Sequence, residues 1–366
     1  MNTQMQPKSS VCFLLYIFIY SSLLAFWGCN EDISSVTTTA APLFVGSDQC
    51  KSCHTQAYED WAKSDHFLAM QRANDSTVLG DFNSAVLLAD GVTNKFFKKE
   101  GKYYINTEGD DGQYHDYEIR YTFGYYPLQQ YLIALPGGRM QSTRASWDSR
   151  DNKWFHQYPD QKIDYRDWFH WTGNSQNWNT MCASCHSTNV QKGYDFEKDT
   201  YTTTWDEVNV SCENCHGPGS RHIDFINSKA YKKGEFLQYS GLTYARDTTP
   251  QLQLNACAAC HARQSTISPE FLNTDEILDD LIPQVISNQF YFADGQIMEE
   301  DYEYGSFAQS KMFHNNVRCS SCHNPHSGKL RVEGNNLCLS CRYPSVNTGT
   351  FYNLMKYNHW SGSQIK

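Results

Sequence analysis

The spacing of apolar and polar residues changes along the chain, and residues 94–160 show a period of two. The clearest run has four alternate apolar or aromatic residues: Tyr117, Ile119, Tyr121 and Phe123. This is the period of a strand with one buried face. Turn signals fall at residues 100–101, 111–112 and 137–138. The pattern predicts a small antiparallel β unit. Its many Tyr and Trp side chains either fill its core or contact a cofactor edge or a partner.

Helical spacing of apolar residues marks three other stretches: residues 55–72, 276–286 and 305–315. Each predicts a helix, and Pro283 interrupts the second. His66 and Met70 are four residues apart in the first stretch, so they share a helix face. Either side chain can bind a metal. We expect His66 to be a ligand and Met70 to lie in the core.

The 14 Cys and 13 His of the 366 residues are not distributed evenly along the chain, and many of them recur in one fixed pattern. Five C-x-x-C-H motifs occur, at Cys50/Cys53/His54, Cys182/Cys185/His186, Cys212/Cys215/His216, Cys257/Cys260/His261 and Cys319/Cys322/His323. This spacing is the attachment signature of c-type haem. Two thiols on one helical turn reach the two vinyl groups of a porphyrin, and the following histidine becomes an axial ligand of the iron.

Disulfides or zinc sites would also account for paired cysteines, but neither requires histidine at the next position. We therefore predict five covalent haems, bound through iron by the five motif histidines. A sixth pair, Cys338 and Cys341, is followed by Arg342. A guanidinium stays protonated and has no lone pair for iron. A sixth haem is therefore not expected.

Second axial ligands are sought among the histidines outside the motifs. We expect four of them to be ligands: His66, from its helix face, and His222, His314 and His326, which each lie close in sequence to a haem motif. His222 follows a glycine-containing turn that reverses the chain, so we expect it to bind the haem of the second motif, at Cys182 and Cys185. A surface position beside Arg221 is the alternative.

Three further histidines have other expected positions. His156 and His170 lie between aromatic residues and are candidates for a haem pocket, whereas His115 lies among polar residues and is expected to be exposed.

Haem supplies apolar surface that side chains would otherwise provide, so we expect a mainly α fold. Its regular structure is sparse and surrounds the covalent haems, and the small antiparallel β unit is inserted into it. The predicted divisions are a lipoprotein signal peptide (1–28), a flexible tether (29–43), a first haem segment (44–93), a β-rich insertion (94–160), a multihaem cytochrome domain (161–342) and an irregular tail (343–366).

The apolar run at residues 11–27 predicts export. Its 17 residues fall short of the roughly 20 that span a bilayer, so a signal peptide is favoured over a membrane anchor. Gly28 and Cys29 resemble a lipoprotein cleavage site, which predicts lipid on Cys29. The net charge of -10 argues against a nucleic-acid partner. It favours a basic redox partner.

Together the segments VGSDQCKSCHTQAYEDW, YTFGYYPLQQYLIALPGGRMQ, WTGNSQNWNTMCASCHSTN, VSCENCHGPGSRH, ADGQI and SKMFHNNVRCSSCHNPHSGKL resemble one family. It is that of bacterial multihaem cytochromes c of the ammonia-oxidiser tetrahaem type, particularly relatives with C-terminal tetratricopeptide repeats. The resemblance covers about residues 44–341 and implies electron transfer in the periplasm or at the cell surface. The chain departs from that family in two respects: Arg342 replaces a second axial histidine, and the repeats are absent.

Three functions are compatible with these features. The first is an electron carrier between redox partner proteins, such as a membrane oxidoreductase, and a terminal acceptor. The second is an oxidoreductase acting on a small nitrogen or sulfur oxyanion at one five-coordinate haem, and the third is a sensor or assembly subunit. Histidines outside the motifs outnumber the five second ligands required, and an iron with two imidazoles has no open position. The sequence therefore favours the carrier.

Overall fold

The computed structural model describes residues 41–340, apart from 230, 232–240, 244–248, 269–276 and 299–301. The predicted signal peptide, most of the tether, Arg342 and the tail lie outside the described residues. Contacts divide the chain into residues 1–41 and 42–366, and only the second unit is considered below. No helix in the described ranges has both the length and the apolar character needed to cross a membrane.

One large antiparallel sheet contains nine strands, β1 to β9. They are Met70–Arg72, Asn83–Ala89, Val92–Lys99, Lys102–Glu108, Tyr114–Phe123, Leu128–Ala134, Met140–Ser142, Ala145–Asp148 and Lys153–His156. The path runs β2-β3-β4-β5-β6-β8-β9, with β1 on β5 and β7 on β6. Its two ends, β2 and β9, approach each other, so the sheet forms a nearly closed barrel. Two small hairpins, β10–β11 and β12–β13, pair Tyr194–Asp195 with Thr200–Tyr201 and Gln264–Thr266 with Leu281–Pro283.

Tight turns connect consecutive strands of the barrel, and the turn at residues 100–101 lies where the sequence predicts it. Glu100 and Gly101 join β3 to β4 with φ angles of 53° and 74°. Two successive positive φ angles match the twist of the flanking strands in a two-residue hairpin. Asp90 and Gly91 join β2 to β3 in the same way, at 54° and 85°.

Aromatic side chains fill the barrel. Phe82 meets four other rings edge to face, those of Phe96, Tyr103, Tyr131 and Trp154. Such contacts add to the free energy gained by burying each ring. The interpretation that the Tyr- and Trp-rich segment packs its own core is therefore confirmed.

The prediction of a mainly α fold is wrong, because helix and strand each account for 27% of the residues that the structure describes. The helices, α1 to α13, are Asp48–Lys51, Thr55–Trp61, Asp65–Leu68, Trp178–Met181, Ala183–His186, Cys212–His216, Ser220–Asn227, Pro250–His261, Ile277–Asp280, Glu303–Ala308, Lys311–His314, Cys319–Cys322 and Asn335–Ser340. Most are one or two turns long, since a C-x-x-C-H motif needs only one helical turn. The barrel recruits strands β1 and β2 from before residue 94.

Two of the predicted helices are each interrupted by a serine. Ser64 caps α3 by accepting a hydrogen bond from the Phe67 N–H, so the stretch 55–72 becomes α2, α3 and then β1. Ser310 caps α11 in the same way. A serine that accepts from the third following N–H begins a new helix. The remaining predicted helix, 276–286, contains a single turn, α9, that runs directly into β13.

A second apolar cluster joins the barrel to the second motif. Its buried members are Met70, Phe123, Leu132, Met140, Trp178 and Ala183. Met70 is completely buried there, which confirms its predicted place in the core. The outer face of β1, β5, β6 and β7 thus supports helices α4 and α5, which carry Cys182, Cys185 and His186.

Candidate haem centres

Each C-x-x-C-H motif lies on a helical turn. In the first motif the His54 N–H donates to the Cys50 carbonyl at 2.9 Å, and in the fifth the His323 N–H donates to the Cys319 carbonyl at 3.0 Å. This hydrogen bond keeps the histidine beside its own cysteine pair. None of the ten motif cysteines forms a disulfide, so each is available for a thioether bond to haem. In the described ranges no three His, Cys, Asp or Glu side chains converge as a bare metal ion would need.

Three motif histidines each face a histidine from elsewhere in the chain. The ring centres of His54 and His222 are 6.1 Å apart. Those of His261 and His66 are 6.2 Å apart, and those of His216 and His326 are 6.3 Å apart. Three of the four histidines predicted as second ligands are therefore brought to a motif histidine.

These separations fit an iron held between two imidazoles. A metal–nitrogen bond is about 2 Å long, and the ring centre lies about 1 Å beyond the nitrogen, so two axial imidazoles have centres about 6 Å apart. Direct packing of two rings allows closer approach, as in the 4.2 Å between the rings of Phe123 and His186. The three pairs therefore have the separation that two imidazoles would need to hold one iron between them.

Burial keeps several of these imidazoles neutral. It lowers the pKa of His66 to about 4, with a smaller contribution from His261. Burial also lowers the pKa values of His54 and His326, helped by the neighbouring histidines. A histidine binds metal through its neutral form. The environment therefore favours the protonation state that iron requires.

The three pairs connect different motifs. His222 follows the third motif and faces the first, His66 follows the first and faces the fourth, and His326 follows the fifth and faces the third. The structure places His222 beside His54 of the first motif, whereas the sequence led us to expect it at the second motif. Its helix, α7, is docked near the segment that enters the first motif, since the Ser220 N–H donates to the Leu43 carbonyl at 3.2 Å.

Cysteines of different motifs are also neighbours. Cys50 hydrogen-bonds with Cys212, which raises the pKa of Cys50 and lowers that of Cys212 to about 7. The thiols of Cys185 and Cys260 are also hydrogen-bonded to each other, and so are the thiols of Cys257 and Cys319. These hydrogen bonds belong to the free thiols. They also show that the attachment points of the first and third, second and fourth, and fourth and fifth motifs are adjacent.

The fifth motif has a different environment. A ring nitrogen of His323 donates to the Gly328 carbonyl at 3.1 Å, which leaves the other nitrogen to bind metal. In the described part of the chain, no ring contact joins His323 to a second histidine. His314, predicted as a ligand, is exposed, and among the described residues its ring contact is edge to face with its neighbour Phe313.

The remaining histidines lie on the barrel side. His156 is 3.2 Å from Asp90, and His170 hydrogen-bonds to the Thr172 hydroxyl at 2.8 Å. Among the described contacts, neither ring meets a motif histidine. His115 is exposed and paired with Asp111 at 2.9 Å, as predicted.

Two carboxylates that sequence reasoning did not identify hold the first and third motifs together. Glu207 accepts hydrogen bonds from the backbone N–H and the hydroxyl of Ser47, at 3.1 and 2.8 Å. Glu213, inside the third motif, accepts from the backbone of residues 45, 46 and 219. The one sequence feature that could have drawn attention to Glu213 is its position between the two cysteines of a motif. The spacing of the motif does not indicate which backbone groups Glu213 contacts.

Comparison with known proteins agrees with this geometry. Residues 49–85 and 142–217 match the family described as cytochrome c554 and c-prime, and these stretches contain the first three motifs. Comparison with curated protein sequences gives no match.

Two solved structures are similar to the chain. One is the outer cell wall cytochrome OcwA, at 16% identity and a TM-score of 0.55, covering 81% of this chain and 67% of that one. The other is the octahaem sulfite reductase MccA of Wolinella succinogenes, at 15% identity and a TM-score of 0.34, covering 78% and 44%. The first shares the fold of this chain. The family match and the five motifs together support a multihaem cytochrome c with covalent haem.

Proposed function

We propose that the protein is an electron carrier whose haems relay electrons between a membrane oxidoreductase and a terminal acceptor. The observation that carries this proposal is the set of three histidine pairs, each joining two different motifs at the separation of axial ligands. Because each pair joins two motifs, the pairs hold the haem sites close to one another. Closely packed redox sites are what a relay needs.

The paired side chains have a definite chemical role. Haem iron, when bound, supplies one-electron oxidation and reduction. His222, His66 and His326 would hold the irons of the first, fourth and third sites together with the motif histidines, and would leave no position on those irons for a substrate. Two imidazole ligands also omit the axial methionine that raises the reduction potential. We therefore propose low-potential electron transfer without substrate chemistry at these three sites.

The test is a reductive titration of the purified holoprotein in a spectroelectrochemical cell. A carrier takes up one electron per haem and returns all of them on reoxidation. The same sample, reduced with viologen, should show no steady consumption of nitrite, hydroxylamine or sulfite. Rapid turnover of any of these would instead establish an oxidoreductase.

We further propose that the protein is exported and held in the cell envelope by lipid on Cys29. An apolar run precedes Cys29, thioether attachment of haem takes place outside the cytoplasm, and the fold is similar to that of an outer cell wall cytochrome. A fatty-acid analogue should label the full-length protein, and Cys29→Ala should abolish both label and membrane association. A labelled, membrane-bound Cys29→Ala protein would contradict the assignment. Cys12→Ala, which changes a cysteine upstream of the predicted cleavage site, is the matched control.

A further inference from the structure

The carboxylate of Glu213 is buried inside the third motif, with 3% of the residue exposed. Both its oxygens accept from the Val45 N–H, at 2.9 and 3.1 Å, and the Gly46 N–H donates to it at 2.8 Å. The Gly219 N–H donates at 2.7 Å. Three backbone donors from two segments thus converge on one side chain.

The two segments lead to the two axial ligands of the first site. Residues 45 and 46 enter helix α1, which carries Cys50 and is followed by His54. Gly219 immediately precedes α7, which carries His222. A Cβ at residue 219 would lie 2.9 Å from Val45 Cγ2 and 3.2 Å from Glu213 Oε1. The absence of a side chain there permits this close approach.

The charge of Glu213 is balanced by peptide dipoles. The backbone N–H groups of Val45, Gly46 and Gly219 all donate to its carboxylate. Glu213 lies between the two cysteines of the third motif and accepts from the segment that enters the first motif, so its charge is close to both sites. A buried negative charge close to an iron favours the ferric form and so lowers the reduction potential.

We propose that Glu213 is a positioning residue for the first haem site. It anchors the helix that presents His222 opposite His54, and its buried charge lowers the potentials of the first and third haems. This inference rests on the proposed relay, since it assumes that His54 and His222 bind one iron.

Two substitutions separate the two effects. Glu213→Gln keeps an acceptor oxygen but removes the charge, so the low-spin spectrum should persist while one or two haem potentials rise. Glu213→Ala removes both charge and acceptor. It should also release His222, which gives a high-spin ferric signal and carbon monoxide binding at about one additional haem per chain. Glu59→Gln, the same change at an exposed position of α2, is the matched control and should leave the spectrum unchanged and shift the potentials less than Glu213→Gln does.

The measurements are spectroelectrochemical potentials, electron paramagnetic resonance and haem content on each purified holoprotein. Unchanged potentials in Glu213→Gln, or a shift equal to that of Glu59→Gln, would overturn the electrostatic role. A fully low-spin Glu213→Ala protein would overturn the positioning role. If Glu213→Ala does not accumulate, Gly219→Ala perturbs the same contact and should give the high-spin signal, and a low-spin spectrum would count against the inference. A wild-type protein whose first site is already high-spin would instead contradict the proposed relay.

Discussion

Replacing His222 with alanine is expected to open the iron of the first site while all haems stay attached. Thioether formation uses Cys50, Cys53 and His54, and His222 takes no part in it. The histidine ring is 6.1 Å from that of His54, and its loss leaves one face of the iron without a protein ligand. Five-coordinate iron is high-spin and binds carbon monoxide when reduced.

The measurement compares spin state and carbon monoxide binding of His222→Ala with the wild-type protein. Binding should increase by about one haem per chain, with haem content unchanged. His115→Ala removes an exposed histidine that is paired with Asp111 and should change neither quantity. His222→Met should restore a six-coordinate iron with a higher potential. An unchanged spectrum for His222→Ala would show that His222 binds no iron.

The purified protein is expected to carry five haems per chain. Five motifs supply both thiols and a histidine, whereas the sixth pair, Cys338 and Cys341, is followed by Arg342. Arginine cannot donate a lone pair to iron. A pyridine haemochrome assay combined with the intact mass counts the haems, and six covalent haems would contradict the prediction.

Arg342→His completes the sixth motif, and we expect it to raise the haem count by one. Cys338→Ser in the same background removes a thioether position and should return the count to five. A count of five in Arg342→His itself would mean that the surrounding chain does not support attachment at this pair.

The sequence predicts the strands and turns of the barrel better than it predicts the relative amounts of helix and strand. Alternation identified β5, and the turn at residues 100–101 lies where glycine was expected, because side-chain direction and turn conformation are local properties. Strand β2, Asn83–Ala89, was missed because its apolar residues are consecutive. The helical content was overestimated because residues 70–72 and 281–283, which the apolar spacing placed in helices, form strands β1 and β13, and because Ser64 and Ser310 divide two of the predicted helices.

The haem sites could also be predicted only in part. Thioether chemistry fixes the spacing of each motif, so the ten cysteines and five histidines are readable from the sequence. Second ligands depend on which segments the fold brings together. His66 and His326 face motifs far from them along the chain, and the recipient of His222 depends on hydrogen bonds from residues 45 and 46 to Glu213. Such contacts between distant segments cannot be predicted from the local sequence pattern.

The most direct test of the relay is the electron paramagnetic resonance spectrum of the fully oxidised wild-type holoprotein. Three of its haem sites have paired histidines, so the spectrum should contain low-spin ferric signals typical of two imidazole ligands that integrate to at least three haems per chain. Low-spin intensity below three haems, with a high-spin signal in its place, would contradict the account.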